Sequence, residues 1–254
     1  MSIGANACAA VVKLGGAALT DKTQLESINE RGFAACIKLA AQLPPRSCIV
    51  HGAGSFGHFH AARHNIKAGT STSAAPSCEQ SAVPVGWGMC DTRRSVLKLN
   101  SMISSALMEA RRSATPVHPM DSWLARDAAV SRADLTSVQR CMQLDILPVL
   151  HGDVIFDDLR GYTVLSGDDI AQHLSSKLCP PFVVFVSDVP GVFVQPPAAA
   201  ACATISDSGF VTLCVVDTRG EILRLHTAAS GALQHGAAAL DVGCSNGTDI
   251  TGGS

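Results

Sequence analysis

Apolar residues along this chain fall into short, nearly unbroken runs, each followed at once or after one histidine by glycine or serine. Residues 9–14, 48–50, 145–150 and 182–186 are such runs. Continuous apolar stretches of this length predict strands covered on both faces, as in a parallel sheet. Between them the period becomes helical. Leu25, Ile28, Ala35, Cys36, Leu39 and Leu43 recur at helical spacing before Pro44-Pro45 stops the helix. Val96, Leu99, Ile103, Ala106 and Ala110 form one stripe of a long helix predicted over 88–112. Ser166 stands as an N-cap before Ile170, Leu174 and Leu178. A short strand is predicted over 115–118, a weaker helix over 130–143 and another helix over 228–240. Two hairpins are predicted, 154–156 with 162–165 and 211–216 with 221–225, each around an Asp- and Gly-containing turn. Residues 68–84, rich in Ser, Thr, Ala and Pro, predict a mobile loop or lid. Strands alternating with helices indicate an α/β fold with a mostly parallel sheet.

Composition narrows the function classes. Of 254 residues, 47% are hydrophobic, enough for one large core. The 19 basic and 21 acidic residues give a net charge of −2 with no Lys/Arg run, and only 4% of residues are aromatic. Neither the phosphate attraction nor the stacking surface of a nucleic-acid binder is present. Ten cysteines show no CxxC spacing, so a zinc ribbon or thioredoxin-like motif is excluded, and reduced cysteines in a cytoplasmic setting are expected. No segment approaches the roughly 20 apolar residues of a membrane span, so no membrane partner is expected. The N-terminal stretch has no basic n-region and does not read as a secretory signal.

The candidate chemistry sits where the apolar runs end. His51-Gly52-Ala53-Gly54-Ser55-Phe56-Gly57-His58 follows one strand and opens into a helix. Glycines let a ligand approach the backbone, and a helix start offers unpaired N–H groups to an anion. A plain glycine turn is the simpler reading of a lone Gly-x-Gly. Here related turns recur at Gly15-Gly16, Gly152 and Gly167, which favours phosphate binding. Lys13 closes a buried strand, so it either snorkels to the surface or faces a phosphate at the carboxyl end of the sheet. Its glycine neighbours favour the second. Lys22, by itself, reads as a solvated loop charge. His60 and His64 share a helix face at i, i+4, but no acid or cysteine close by in sequence completes a metal set, so no metal ligand is assigned. Asp168 and Asp169 open a helix after Gly167, where acids ordinarily serve as caps, though two in succession can also orient lysines or magnesium. GxxxxGK[ST] does not occur, so any phosphate site uses loops other than a P-loop.

Six motifs resemble, in order, those of the amino acid kinase superfamily, and within it the isopentenyl phosphate kinase branch. They are Lys13-Leu14-Gly15-Gly16, the 51–58 loop, His151-Gly152-Asp153-Val154, Leu165-Ser166-Gly167-Asp168-Asp169, Ser187-Asp188-Val189-Pro190-Gly191-Val192 and Asp249-Ile250-Thr251-Gly252-Gly253. The histidine ending the second motif is what resembles the isopentenyl phosphate branch; fosfomycin kinases look similar there. The resemblance implies an open αβα sandwich, ATP with Mg2+, and transfer of the γ-phosphoryl to a phosphate monoester. It implies catalytic roles for Lys13, Lys22, His58 and Asp168, with Asp168 orienting the lysines. Ala53, Gly54, Ser55, His58 and Gly152 would hold the substrate phosphate. Lys13, Gly15, Gly16, Ser187, Asp188 and Gly191 would lie by the nucleotide. An apolar tail pocket beyond His58 is expected, with Phe59, Val85, Trp87 and Met89 as candidate lining. A homodimer is expected by analogy with family members. In the family a lysine and further elements follow the sixth motif, whereas this chain stops at Ser254. The expectation is therefore one amino acid kinase domain over 1–254 with its C-terminal end cut short. The alternatives are a kinase for another small phosphate or phosphonate such as fosfomycin, or a catalytically impaired ligand-binding form.

Overall fold

A computed structural model of the chain describes residues 8–69 and 86–187 together with the strands 212–216 and 222–227. The helix expected over 228–240, Asp188, Gly191, the 249–253 motif and most of the 68–84 loop lie outside the described residues. The chain runs β1 (Ala10–Leu14), α1 (Gly16–Leu19), α2 (Glu30–Ala41), β2 (Ser47–His51), α3 (Gly54–Arg63) and α4 (Trp87–Glu109). It continues through β3 (Ala114–Pro116), β4 (Trp123–Arg126), β5 (Ala129–Ala133), α5 (Thr136–Gln143), β6 (Leu147–His151), β7 (Asp153–Asp157) and β8 (Gly161–Leu165). Last come α6 (Gly167–Leu178), β9 (Val183–Ser187), β10 (Thr212–Val216) and β11 (Ile222–Thr227).

The main sheet has seven strands in the order β11-β10-β9-β1-β2-β6-β3. The five from β9 to β3 are mutually parallel, and β10 and β11 add an antiparallel edge. Every residue of β1, β2 and β6 is buried, which is why these strands read as unbroken apolar runs rather than alternating ones. Alternation reappears in what each residue touches. Ala10, Val12 and Leu14 of β1 pack with Leu99, Ile103 and Leu107 of α4 and with α2. Val11 packs on the opposite layer with Ile170, Ala171 and Leu174 of α6 and Val138 of α5. Lys13 follows Val11 at i+2 and so faces α6. This is the helix–sheet–helix sandwich that the motif resemblance implies.

The 88–112 helix forms as α4, but its stripe continues through buried Leu107, while Ala110 has become an exposed C-cap. The helix expected over 130–143 is half wrong. Its second half is α5; its first half is β5, paired antiparallel with β4, which the sequence pattern did not reveal. The turn between them, Asp127-Ala128, has positive φ at both positions (52° and 64°) without a glycine to signal it. The turn is held instead by Asp157, whose carboxylate accepts from the Asp127 and Ala128 N–H groups at 3.1 and 2.7 Å. With β7 and β8 the pair forms a second sheet, β5-β4-β7-β8. The absence of an acid near His60 and His64 is also corrected: α4 brings Asp91 to both rings.

Candidate functional site

The carboxyl ends of β1, β2, β6 and β9 open into one cleft of about 260 Å3. β1 is central, and its neighbours β2 and β9 lie on opposite sides of it, so loops leaving these ends diverge and leave a crevice. The ladder persists into the loops: Gly15 N–H donates to Val186 O, Gly52 N–H to Leu14 O and Gly152 N–H to His51 O, at 2.8–2.9 Å. The glycine turns therefore stack on one another. A Cβ on Gly16 would stand 2.6 Å from the Gly54 nitrogen, so the first two loops fit only as bare backbone.

Lys13 lies on the floor of this cleft, 6% exposed. Its Nζ is 2.9 and 3.1 Å from the two Asp168 carboxylate oxygens. The two acids of the fourth motif divide the work. Asp169 closes a capping box with Ser166 at the start of α6, while Asp168 turns to the lysine. A buried ammonium needs such a partner. Across the cleft α3 begins at Gly54; its N-cap residue Ala53 supplies no side-chain cap, and of its first-turn N–H groups Ser55's is taken by Thr20 Oγ1. The positive end of its dipole, with the Gly54 N–H, favours an anion there, and His58, exposed one turn later, lines the same cleft.

Of the residues singled out from sequence, Lys13, Gly15, Gly16, Lys22, Ala53, Gly54, His58, Gly152, Asp168 and Ser187 all line the cleft. Ser55 is not among the lining residues. It is 1% exposed; its N–H donates to Thr20 Oγ1 at 2.9 Å and its hydroxyl to Ser27 O at 2.9 Å, so it anchors the 20–27 loop under the site. The expected tail-pocket residues are placed elsewhere. Phe59 and Trp87 are exposed, Met89 packs with Ile66 and Val154, and Val85 lies outside the described residues. The apolar walls are instead Ala61, Ala62, Val96, Val154, Val164 and Leu165. Lys67, which the sequence did not flag, adds a third lysine to the lining.

Sequence reasoning also missed what supports the loops. His51 and His151 end neighbouring strands in register, and both are fully buried. Asn100 donates to His51 Nε2 at 3.0 Å, and His118 Nδ1 stands 3.0 Å from His151 Nε2. Each Nδ1–H donates to the carbonyl of the following glycine at 3.0 Å. The repeated His-Gly pair was the available signal. Burial pushes both imidazoles down to about 3, whereas burial raises Asp153 to about 6 despite Arg93 Nε at 3.4 Å. The signs oppose. Two histidines with depressed folded values contribute stability present above their unfolded pKa and lost as pH falls from about 6.5 toward 3. One aspartate with a raised value contributes in the other direction, losing stability as pH rises from about 4 to 6. Two larger shifts outweigh one smaller shift, so the urea midpoint is expected to fall steadily from pH 6.5 to 4. An unchanged midpoint across that range would contradict neutral, buried His51 and His151.

Comparison with known proteins agrees with this fold. The model of the amino acid kinase family matches residues 9–241. Isopentenyl phosphate kinase of Haloferax volcanii is 34% identical over 246 residues, 96% of this chain and 83% of that protein. Isopentenyl phosphate kinase of Arabidopsis thaliana is 34% identical over 227 residues, 74% of this chain; the chain spans 66% of that relative's length. An X-ray structure of isopentenyl phosphate kinase superposes with a TM-score of 0.65 at 31% identity, covering 74% of this chain and 75% of the other.

Proposed function

The chain belongs to the amino acid kinase family, and from that premise we propose that it transfers the γ-phosphoryl of ATP to isopentenyl phosphate, giving isopentenyl diphosphate and ADP. The observation that carries the reading is buried Lys13, paired with Asp168, facing the start of α3 across one cleft. An oxygen of the acceptor phosphate attacks the γ-phosphorus, and the bond to the β,γ-bridging oxygen breaks, leaving its electrons on ADP. Such a transfer needs alignment and charge neutralisation more than covalent help. Lys13 neutralises the equatorial oxygens of the moving phosphoryl, and Asp168 positions it. His58 and the α3 N-terminus hold the acceptor phosphate. Lys22 adds charge at the cleft wall, and Gly15, Gly16 and Ser187 leave room for the nucleotide, with Asp188 and Gly191 joining them by family likeness. The apolar wall from Ala61 to Leu165 suits a small branched hydrocarbon tail. Magnesium would screen the ATP phosphates. Of the two carboxylates lining the cleft among the described residues, Asp168 is bridged to Lys13 and Asp153 faces Arg93, which fits an ion held by phosphate oxygens rather than by direct protein ligands. By family analogy alone the reading extends to a cytoplasmic homodimer. The relatives named above all carry the isopentenyl phosphate name, and none favours the phosphonate alternative.

The test is ADP release with Mg-ATP and isopentenyl phosphate, with fosfomycin in parallel. Release is expected with isopentenyl phosphate only. His58→Ala removes one charge-assisted contact, and KM for isopentenyl phosphate is expected to rise about 10- to 100-fold, with KM for ATP little changed. Release with fosfomycin instead would overturn the substrate. No release from a folded chain that still binds isopentenyl phosphate would identify an impaired ligand-binding form.

A further inference from the structure

We propose that His60, His64 and Asp91 form a binding site for a divalent transition-metal ion of the zinc class, joining α3 to α4 beside the phosphate cleft. The three ligand atoms lie within 4.8 Å of one another. Asp91 Oδ2 is 2.8 Å from His60 Nδ1 and 3.1 Å from His64 Nε2. Metal bonds of about 2.0–2.1 Å place neighbouring ligand atoms roughly 3.0–3.4 Å apart, so two edges of the coordination polyhedron are close to their bound lengths. The third edge, between the two imidazole nitrogens, lies within the same 4.8 Å.

The surroundings are those of a metal site rather than of a simple hydrogen-bonded clamp. His60 is 6% exposed, and its other nitrogen, Nε2, is buried without a hydrogen-bond partner. Glu26 Oε1 faces that nitrogen at 3.8 Å, and Lys98 holds Glu26 in place at 2.5 Å. An imidazole bound to a metal through one nitrogen and backed by a carboxylate at the other is the usual second-layer arrangement. The second oxygen of Asp91 accepts from Arg94 at 2.9 Å, which orients Oδ2 toward the rings. Side chains of His64 and Asp91 remain 21% and 14% exposed, so an ion can enter and keep a water as fourth ligand. Two imidazoles and one carboxylate suit zinc, cobalt, nickel or copper and not magnesium, whose preference is for oxygen alone. The site is therefore chemically distinct from the nucleotide's ion. It bridges helices whose Ala61, Thr92 and Val96 wall the cleft, and the bound ion would fix the angle of that wall.

The test uses the whole chain stripped with chelator and titrated with Co2+ and then Zn2+. Wild type is expected to take up one equivalent of Co2+ with weak visible d–d bands and no intense thiolate charge-transfer band, and Zn2+ should displace it. His64→Ala and Asp91→Asn should each weaken binding at least ~100-fold; the asparagine keeps the hydrogen-bonding shape but is a poor ligand. No uptake by folded wild-type protein would overturn the proposal. So would a thiolate band, which would assign the ion to cysteine, or binding that survives both substitutions.

Discussion

Lys13→Ala is expected to lower kcat by about 10³-fold or more and to leave the fold standing. The ammonium is held on the cleft floor at the end of the central strand β1, fixed by both oxygens of Asp168. Charge spreading over the transferred phosphoryl is met by a group that need not reorganise, and alanine leaves nothing to replace it. Stability should change little. The truncated space opens into a wet cleft, and Asp168, 38% exposed, can be solvated when its partner is lost. Asp168→Asn should cost less, about 10- to 100-fold, because the lysine keeps its charge and loses only its aim. Since both act through one ammonium, the double variant should be no worse than Lys13→Ala alone. Steady-state ADP release and urea midpoints on the four proteins decide the matter. Turnover within tenfold of wild type in Lys13→Ala would remove Lys13 from the mechanism.

The parts of this fold that were legible in the sequence are those fixed by local pattern. A strand buried on both faces must be apolar throughout, and β1, β2, β6 and β9 announced themselves. The cleft was legible for a related reason: glycine turns at the ends of such strands are costly unless backbone must meet backbone or ligand. What escaped was fixed by distant partners. The β4–β5 turn depends on a carboxylate some 30 residues later. The two aspartates after Gly167 are equivalent in sequence, and only the position of Lys13 across the sheet separates the cap from the lysine's partner. The aromatic and apolar residues near His58 looked suited to a tail pocket, yet α3 turns Phe59 outward, and the wall comes from other residues of α3 and from α4, β7 and β8. Asp91 reaches His60 from the next helix, a contact that no i, i+4 rule can reveal.

Gly54→Ala is expected to destabilise the protein by about 2–4 kcal/mol, the sum of a strained positive φ and lost hydrogen bonds, and to abolish acceptor binding. Gly54 has φ +51°, where a side chain is strained whatever the space. The space is also absent. An added Cβ would collide with Thr20 Oγ1 and lie 2.8 Å from Gly16 O. That hydroxyl pins the two glycine loops together, donating to Gly16 O at 2.8 Å and accepting from Ser55 N–H at 2.9 Å. Driving it out strands a buried N–H at the start of α3, where the acceptor phosphate is proposed to sit. Thr20→Ala removes the same hydroxyl without the backbone strain, so it should cost about 1–3 kcal/mol, the price of an unsatisfied buried donor. With the collision already relieved, the double variant should be less destabilised than the sum of the two. Gly86→Ala serves as the control, because its Cβ would meet nothing within 4 Å. Urea unfolding of the four variants beside wild type reads all of this. A Gly54→Ala protein as stable as the Gly86→Ala control, and still able to bind isopentenyl phosphate, would show that the loop pair tolerates a side chain and does not form the phosphate cradle.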